Sequence, residues 1–293
     1  MANAQTRTVT ETIATGFTIL FRNPLTFLVT ALPQILIVGV VTLAIPRRGT
    51  GVGYSFLHPA GQPFAAAGAH LPPGEALMLA GAALIASIVT FIQIAATYVV
   101  ASNLVRGGKA NLIDAYGTAV DRFWSLLWAV LIVIGIVLLG SLLMAVVMAV
   151  GAALKIAVLT RVLGFGALVV WMVGVLIRYI FLTPVVLLED SRGLSALRRS
   201  ADLGRGSWGR VCGVMISALI LLLAIQFGVA IVGGILSVIL ADSSGPARWV
   251  LALTAGLKAW IAQASLIAMM VLYTDLSGRT SPQQQTTWVP TTS

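Results

Sequence analysis

Apolar positions run through this chain in long, nearly unbroken blocks, and the polar ones gather between them. Six blocks, at about 25–45, 76–104, 125–153, 162–188, 209–241 and 249–274, each reach the roughly 20 residues that a helix needs to cross a hydrocarbon core. Several are longer, which predicts tilt, kinks or ends that protrude into the interface. Three shorter segments between the blocks carry a helical period instead: ETIATGFTILFRNPL (Glu11–Leu25), NLIDAYGTAVDRFWSLL (Asn111–Leu127) and GLSALRRSADLGRGSWGRV (Gly193–Val211). In the third, Leu194, Leu197, Ala201 and Trp208 recur on one face, and Ser195, Arg198, Arg199, Asp202 and Arg205 fill the other. In the second, Leu112, Tyr116, Val120 and Phe123 oppose Asp114, Thr118, Asp121 and Arg122; in the first, Ile13, Phe17 and Leu20 form the apolar stripe. Such segments read as interfacial helices, apolar side in the lipid boundary and charges toward the headgroups. Trp124 and Trp208 stand where two of them feed into a membrane helix, the depth of an aromatic anchor. Pro24 supplies a bend in the first, Gly204 and Gly206 in the third.

The expected fold is therefore all-α: a polytopic membrane protein with six transmembrane helices and three interfacial amphipathic helices. An amphipathic segment precedes each odd-numbered membrane helix, so a unit of one interfacial helix plus one hairpin recurs three times. Triplication is a hypothesis that this order raises. Residues 1–276 read as a single integral membrane domain, and 277–293 as a disordered polar tail rich in Thr, Gln and Pro. Pro46–Gly74 reads as a Gly/Pro-rich external loop.

Composition strengthens the membrane reading. Only 9% of the 293 residues are charged and 59% are hydrophobic, against about 25% charged in soluble domains. The net charge of +9 does not point to nucleic acid, because the basic residues sit in short connections and not along one polar face. Anionic membrane lipids are the expected partner. Eleven of the 18 Lys and Arg fall on the side of the termini and the even-numbered loops and five on the other, which predicts a multi-pass cell-membrane protein with both termini cytoplasmic. The single cysteine, Cys212, makes no internal disulfide and reads as a packing residue.

The remaining two cations, Arg178 and Lys258, lie inside apolar blocks. A charge at depth costs at least about 2.5–3.5 kcal/mol on insertion scales, so each needs a partner, a cavity or an interface. They either snorkel and bond to Gln side chains and carbonyls, or line a pocket for an anionic headgroup or solute. Gln34, Gln93, Gln226 and Gln263 are expected to join helices. No cofactor, metal site or catalytic residue is expected: the acids cluster at ends and loops, and His58 and His70 share the external loop with Glu75 without tight ligand spacing.

The stretch RYIFLTPVVLLEDSRGLSALRRSADLGRGSWGRV resembles the signature of the membrane-domain family of glycerophosphoryl diester phosphodiesterases. The matching positions are Arg178, Pro184, Glu189, Ala196, Leu197, Ser200, Gly206 and Trp208, with one residue between Gly206 and Trp208 where the family has two. LYTDLSG is similar to the family's Tyr-x-Asp-Leu-Arg through Tyr273, Asp275 and Leu276, with Ser277 in place of the Arg. The resemblance implies a six-helix membrane domain. It carries no catalytic activity over, since the 17 residues after Leu276 cannot form the barrel of about 250 residues that some relatives add.

Two functional expectations follow. One is a non-catalytic scaffold or accessory component at the lipid interface, with Glu189, Arg198, Arg199, Arg205 and Trp208 as its interfacial or partner surface, toward lipid, a protein partner or a second copy. The other is a transporter or flippase-like protein for an anionic lipid or small amphiphile, with Arg178 and Lys258 as counter-charges.

Overall fold

Thr8 opens the first helix. Its hydroxyl accepts the Glu11 N–H (3.2 Å) and the Glu11 carboxylate accepts the Thr8 N–H (2.7 Å), so two of the helix's orphan donors are satisfied reciprocally. In the computed structural model, which describes residues 7–44, 73–153, 157–191, 193–239 and 246–280, all regular structure is helical. The elements are α1 (Val9–Arg22), α2 (Pro24–Ala44), α3 (Pro73–Val105), α4 (Leu112–Asp121), α5 (Phe123–Ala153), α6 (Ala157–Tyr179), α7 (Leu182–Leu188), α8 (Leu194–Gly204), α9 (Trp208–Ile239) and α10 (Pro246–Thr280). The external loop expected at 46–74 lies outside the described residues up to Pro72, and so do His58, His70 and tail residues 281–293.

All three amphipathic segments form helices where the period places them. Each ends at a local break. Asn23 stops α1 by donating its backbone N–H to the Ile19 and Leu20 carbonyls, and Pro24 starts α2 at an angle of 87°. The Asn111 side chain caps α4 by accepting the Ile113 N–H (3.2 Å). Gly206, at φ +77°, turns the chain between α8 and α9.

Five helical stretches are long and apolar enough to cross a membrane: Ala80–Val105, Phe123–Gly151, Gly164–Leu188, Trp208–Leu236 and Leu253–Gly278. A sixth exists if the bent pair α1 plus α2 forms one span. The fourth apolar block differs from the continuous helix its hydropathy predicts. It is interrupted at Ile180–Phe181 and resumes as the short α7. Pro184 explains the break: it has no N–H for the Ile180 carbonyl, and its ring clashes there.

The long helices pack as the hairpins α2/α3, α5/α6 and α9/α10. Each short amphipathic helix then packs on the hairpin before it in a cyclic order: α4 on α3, α8 on α6 and α7, and α1 on α10. The centre of the molecule is α10, which also packs on α2 and α3, whereas α5 buries Leu126 and Ala129 near its start and exposes most of its apolar length.

The buried cluster draws on one end of nearly every element. It includes Leu20, Phe27, Val100, Ala119, Leu126, Val185, Leu197, Val214 and Ile267 to Leu276 in part. Away from that end, α5, α6 and α9 present Leu138, Leu142, Val170, Leu223 and Ile235 outward, as helices solvated by lipid do.

The amphipathic helices also pack against protein, along a face that the helical period does not by itself single out. The residues facing protein are Thr12, Ile13, Gly16 and Leu20 in α1, Ala115 and Ala119 in α4, and Ala196, Leu197, Ser200, Ala201, Leu203 and Gly204 in α8. Ile113, Val120 and Leu194 are exposed, as are Trp124 and Trp208 at the starts of α5 and α9. The small side chains among those facing protein let the helices approach closely.

Candidate functional site at the charged end

The turn between α7 and α8 positions the main cluster. Glu189 caps α7 through its N–H to the Val185 carbonyl (3.0 Å), and Asp190 (φ +52°) and Gly193 (φ +57°) take the left-handed backbone that reverses the chain. Asp tolerates that region better than most residues, and Gly has no Cβ to oppose it. The reversal brings α8 back over α7, so Arg199 meets Glu189. Arg199 Nε donates to Glu189 Oε2 (2.8 Å) and Nη2 to Oε1 (3.4 Å). From the last turns of α10, the Tyr273 hydroxyl donates to the same Oε1 (2.8 Å). One carboxylate thus ties α7, α8 and α10 together. The hydrogen bond to Glu189 raises the Arg199 guanidinium above its ordinary value, and the group stays cationic.

Two more arginines fasten the same end. Arg122, between α4 and α5, donates to the Val186 carbonyl (3.0 Å) and pairs with Asp190 (3.1 Å). Arg210, in the first turn of α9, pairs with Asp275 of α10 at 2.6 Å, with both side chains under 20% exposed. Its Nε and Nη1 are buried without a hydrogen-bond partner. Deeper in the bundle, Gln263 Nε2 donates to the Phe27 carbonyl (3.0 Å), Thr30 Oγ1 donates to Gln263 Oε1 (2.9 Å), and the Tyr116 hydroxyl donates to the Thr30 carbonyl (2.9 Å). The expected joining role of glutamine is met at Gln263, and at Gln226, which donates to the Lys258 carbonyl (3.1 Å).

The motif residues converge in space. Glu189, Ser200, Tyr273 and Asp275 all make the bonds that hold this end, while Pro184, Ala196, Leu197 and Leu276 are buried around them. Sequence reading missed the partnerships of Arg122 with Asp190 and Arg210 with Asp275. Their only sequence signal is charge at segment boundaries, which gives no pairing.

Arg178 and Lys258 are not brought together. The Ser200 hydroxyl donates to the Arg178 carbonyl (3.2 Å), which sets Arg178 beside the amphipathic helix α8, ten residues inside the Leu188 end of its span; its side chain is exposed. Lys258 lies five residues inside the Leu253 end of a span that closes at Gly278, about 7.5 Å at 1.5 Å per residue. The two charges therefore lie at different distances from the ends of their spans. Arg198 is exposed, Arg205 is exposed and pairs with Asp202 (3.1 Å), and Trp208 is 46% exposed.

An open depression of about 430 Å³ lies beside α1, lined by Glu11, Thr15, Thr18, Arg22, Asn23 and Leu104 among others. Neither Arg178 nor Lys258 reaches it. Among the described residues no group of three or more His, Cys, Asp or Glu side chains could hold a metal.

A scan against protein-family models, a search of curated proteins and a search of solved structures each return no match. The family resemblance thus rests on the short motifs alone, and what stands without it is an all-helical chain with five to six spans suited to a membrane.

Proposed function

We propose that this chain is a non-catalytic integral membrane protein, a scaffold or accessory component acting at the lipid interface of the cell membrane, with both termini cytoplasmic. The observation that carries the reading is how the polar side chains are used. Glu189, Arg199, Tyr273, Arg122, Asp190, Arg210 and Asp275 bind one another and tie α7, α8, α9 and α10 together at one end. Groups consumed in mutual pairing are positioned to fix architecture. The charge bias of the connections puts this end in the cytoplasm, where lipid, a partner protein or a second copy would meet it. The cyclic packing of α1, α4 and α8 on successive hairpins supports a triplicated unit.

One observation favours a transporter: the span Gly164–Leu188 is a broken helix, as spans that line a substrate path often are. Arg178 and Lys258, at different levels, weaken it. Reconstitution distinguishes the two. With a fluorescent anionic phospholipid in sealed vesicles, the scaffold reading expects quenching of the outer leaflet only, as in protein-free vesicles. Protein-dependent access to the inner-leaflet probe would overturn it.

A further inference from the structure

We infer that Arg178, with Arg205 and Trp208 beside it, forms a binding site for the headgroup phosphate of an anionic phospholipid in the leaflet at the charged end. The inference rests on the membrane reading above and adds to it a ligand class and a place.

Arg178 lies in the last turn of α6, just after a run of side chains that face outward: Val169, Val170, Trp171, Met172, Val173 and Leu176 are all at least 42% exposed. A helix with that surface is solvated by acyl chains. Arg178 is ten residues inside the Leu188 end of the span and just before the break at Ile180–Phe181, and its long side chain can carry the guanidinium toward the headgroups. Contacts with α8 fix its neighbours. Ser200 donates to the Arg178 carbonyl, and the Ile177 carbonyl lies 4.0 Å from where Gly204 would carry a Cβ. Arg178 and Arg205 thus flank one contact between α6 and α8. Trp208 opens α9 three residues later, with its ring 46% exposed.

The electrostatics select the ligand. Among the described residues no carboxylate pairs with Arg178. The acid of this patch is Asp202, which is paired to Arg205 (3.1 Å). With exposed Arg198 on α8, three cations face one carboxylate, a net charge of about +2 at the edge of a low-dielectric medium. A guanidinium presents its donors in a planar fork that matches two phosphate oxygens, and it is held there by a helix end and not by a flexible loop. Trp208 offers an amphipathic ring at the glycerol level. Lys258 has no place in the site: it lies near the Leu253 end of the α10 span, where Gln226 of α9 donates to its carbonyl.

The test is thermal unfolding of the full chain in nanodiscs of phosphatidylcholine alone or with one-fifth phosphatidylglycerol, together with native mass spectrometry of retained lipids. The wild type should retain phosphatidylglycerol selectively and unfold at a higher temperature when it is present. Arg178→Gln should cut that retention at least fivefold, Arg178→Lys should keep part of it, and Lys109→Gln, a control cation, should keep all of it. Equal retention by wild type and Arg178→Gln overturns the site. Should Arg178→Gln fold poorly, Arg205→Gln with Trp208→Ala gives the second reading, and unchanged selectivity there overturns it too. Failure of this site is distinct from failure of the membrane reading, which would show as no stable incorporation of the wild type into nanodiscs at all.

Discussion

Glu189 accepts from Arg199 and Tyr273 at once, and its side chain is about a quarter exposed. Hydrogen bonds to a charged group contribute about 1.5–3 kcal/mol each, less where water competes. A double-mutant cycle of Glu189→Gln and Arg199→Gln, read by thermal unfolding in detergent, should give a coupling of about 1–2 kcal/mol; strict additivity would mean that the pair holds nothing. Gln263 makes a smaller contribution, because bonds between spans average about 0.6 kcal/mol, so Gln263→Leu should lose about 1 kcal/mol over its two bonds. Tyr116 adds a pH signature. Burial raises its hydroxyl above the ordinary value, so folding favours the neutral form that donates to Thr30. That contribution is complete below about pH 10, the unfolded value, and is lost as pH rises through the higher folded value. Tyr116→Phe should cost about 1 kcal/mol at neutral pH and flatten that alkaline loss.

Close packing between elements is set by glycines whose neighbours differ in kind. A Cβ on Gly16 would meet the Ala268 backbone nitrogen at 2.9 Å, where α1 crosses α10. Backbone does not step aside, so Gly16→Val should push α1 off α10 and cost about 1–3 kcal/mol. At Gly140 a Cβ would run into the Trp171 ring, a side chain 42% exposed that can turn away. Gly140→Ala should cost less than Gly16→Val in the same unfolding assay; the reverse order would misplace the α1–α10 seam. Much of the element plan was legible in the sequence, because long apolar runs and a 3.6-residue period report directly on solvent and face. The three amphipathic segments fell on α1, α4 and α8 for that reason. What the period does not encode is which neighbour covers a face. It put Leu194 and Leu197 on one face and Ser200 on neither, whereas the structure exposes Leu194 and buries Leu197 and Ser200 against protein. The break at Ile180–Phe181 was written in Pro184, but high hydropathy on both sides concealed it. For the site, Glu189, Tyr273 and Asp275 stood in the motifs, while the partners they bond are 10 to 84 residues away along the chain and carry no local signal.

The whole molecule depends on closure. α4 and α8 pack on the hairpins that precede them, and α1, the first described element, packs on α10 and touches α9 instead. That contact closes the packing order, α4 on α3, α8 on α6 and α1 on α10, into a cycle. It also predicts that both ends of the described chain share one membrane face. A cysteine at position 281 should react with impermeant maleimide only after the membrane is opened, and reaction in intact cells would invert the topology. The most direct measurement of closure uses the approach of α1 to α9, where Val9 Cγ2 lies 3.1 Å from the Cβ position of Gly213. In a Cys212→Ser background, Val9→Cys and Gly213→Cys should form an intramolecular disulfide in native membranes under mild oxidation, and Val9→Cys with Phe227→Cys should not. Two free, alkylatable thiols at 9 and 213 in a folded protein would contradict the closed arrangement.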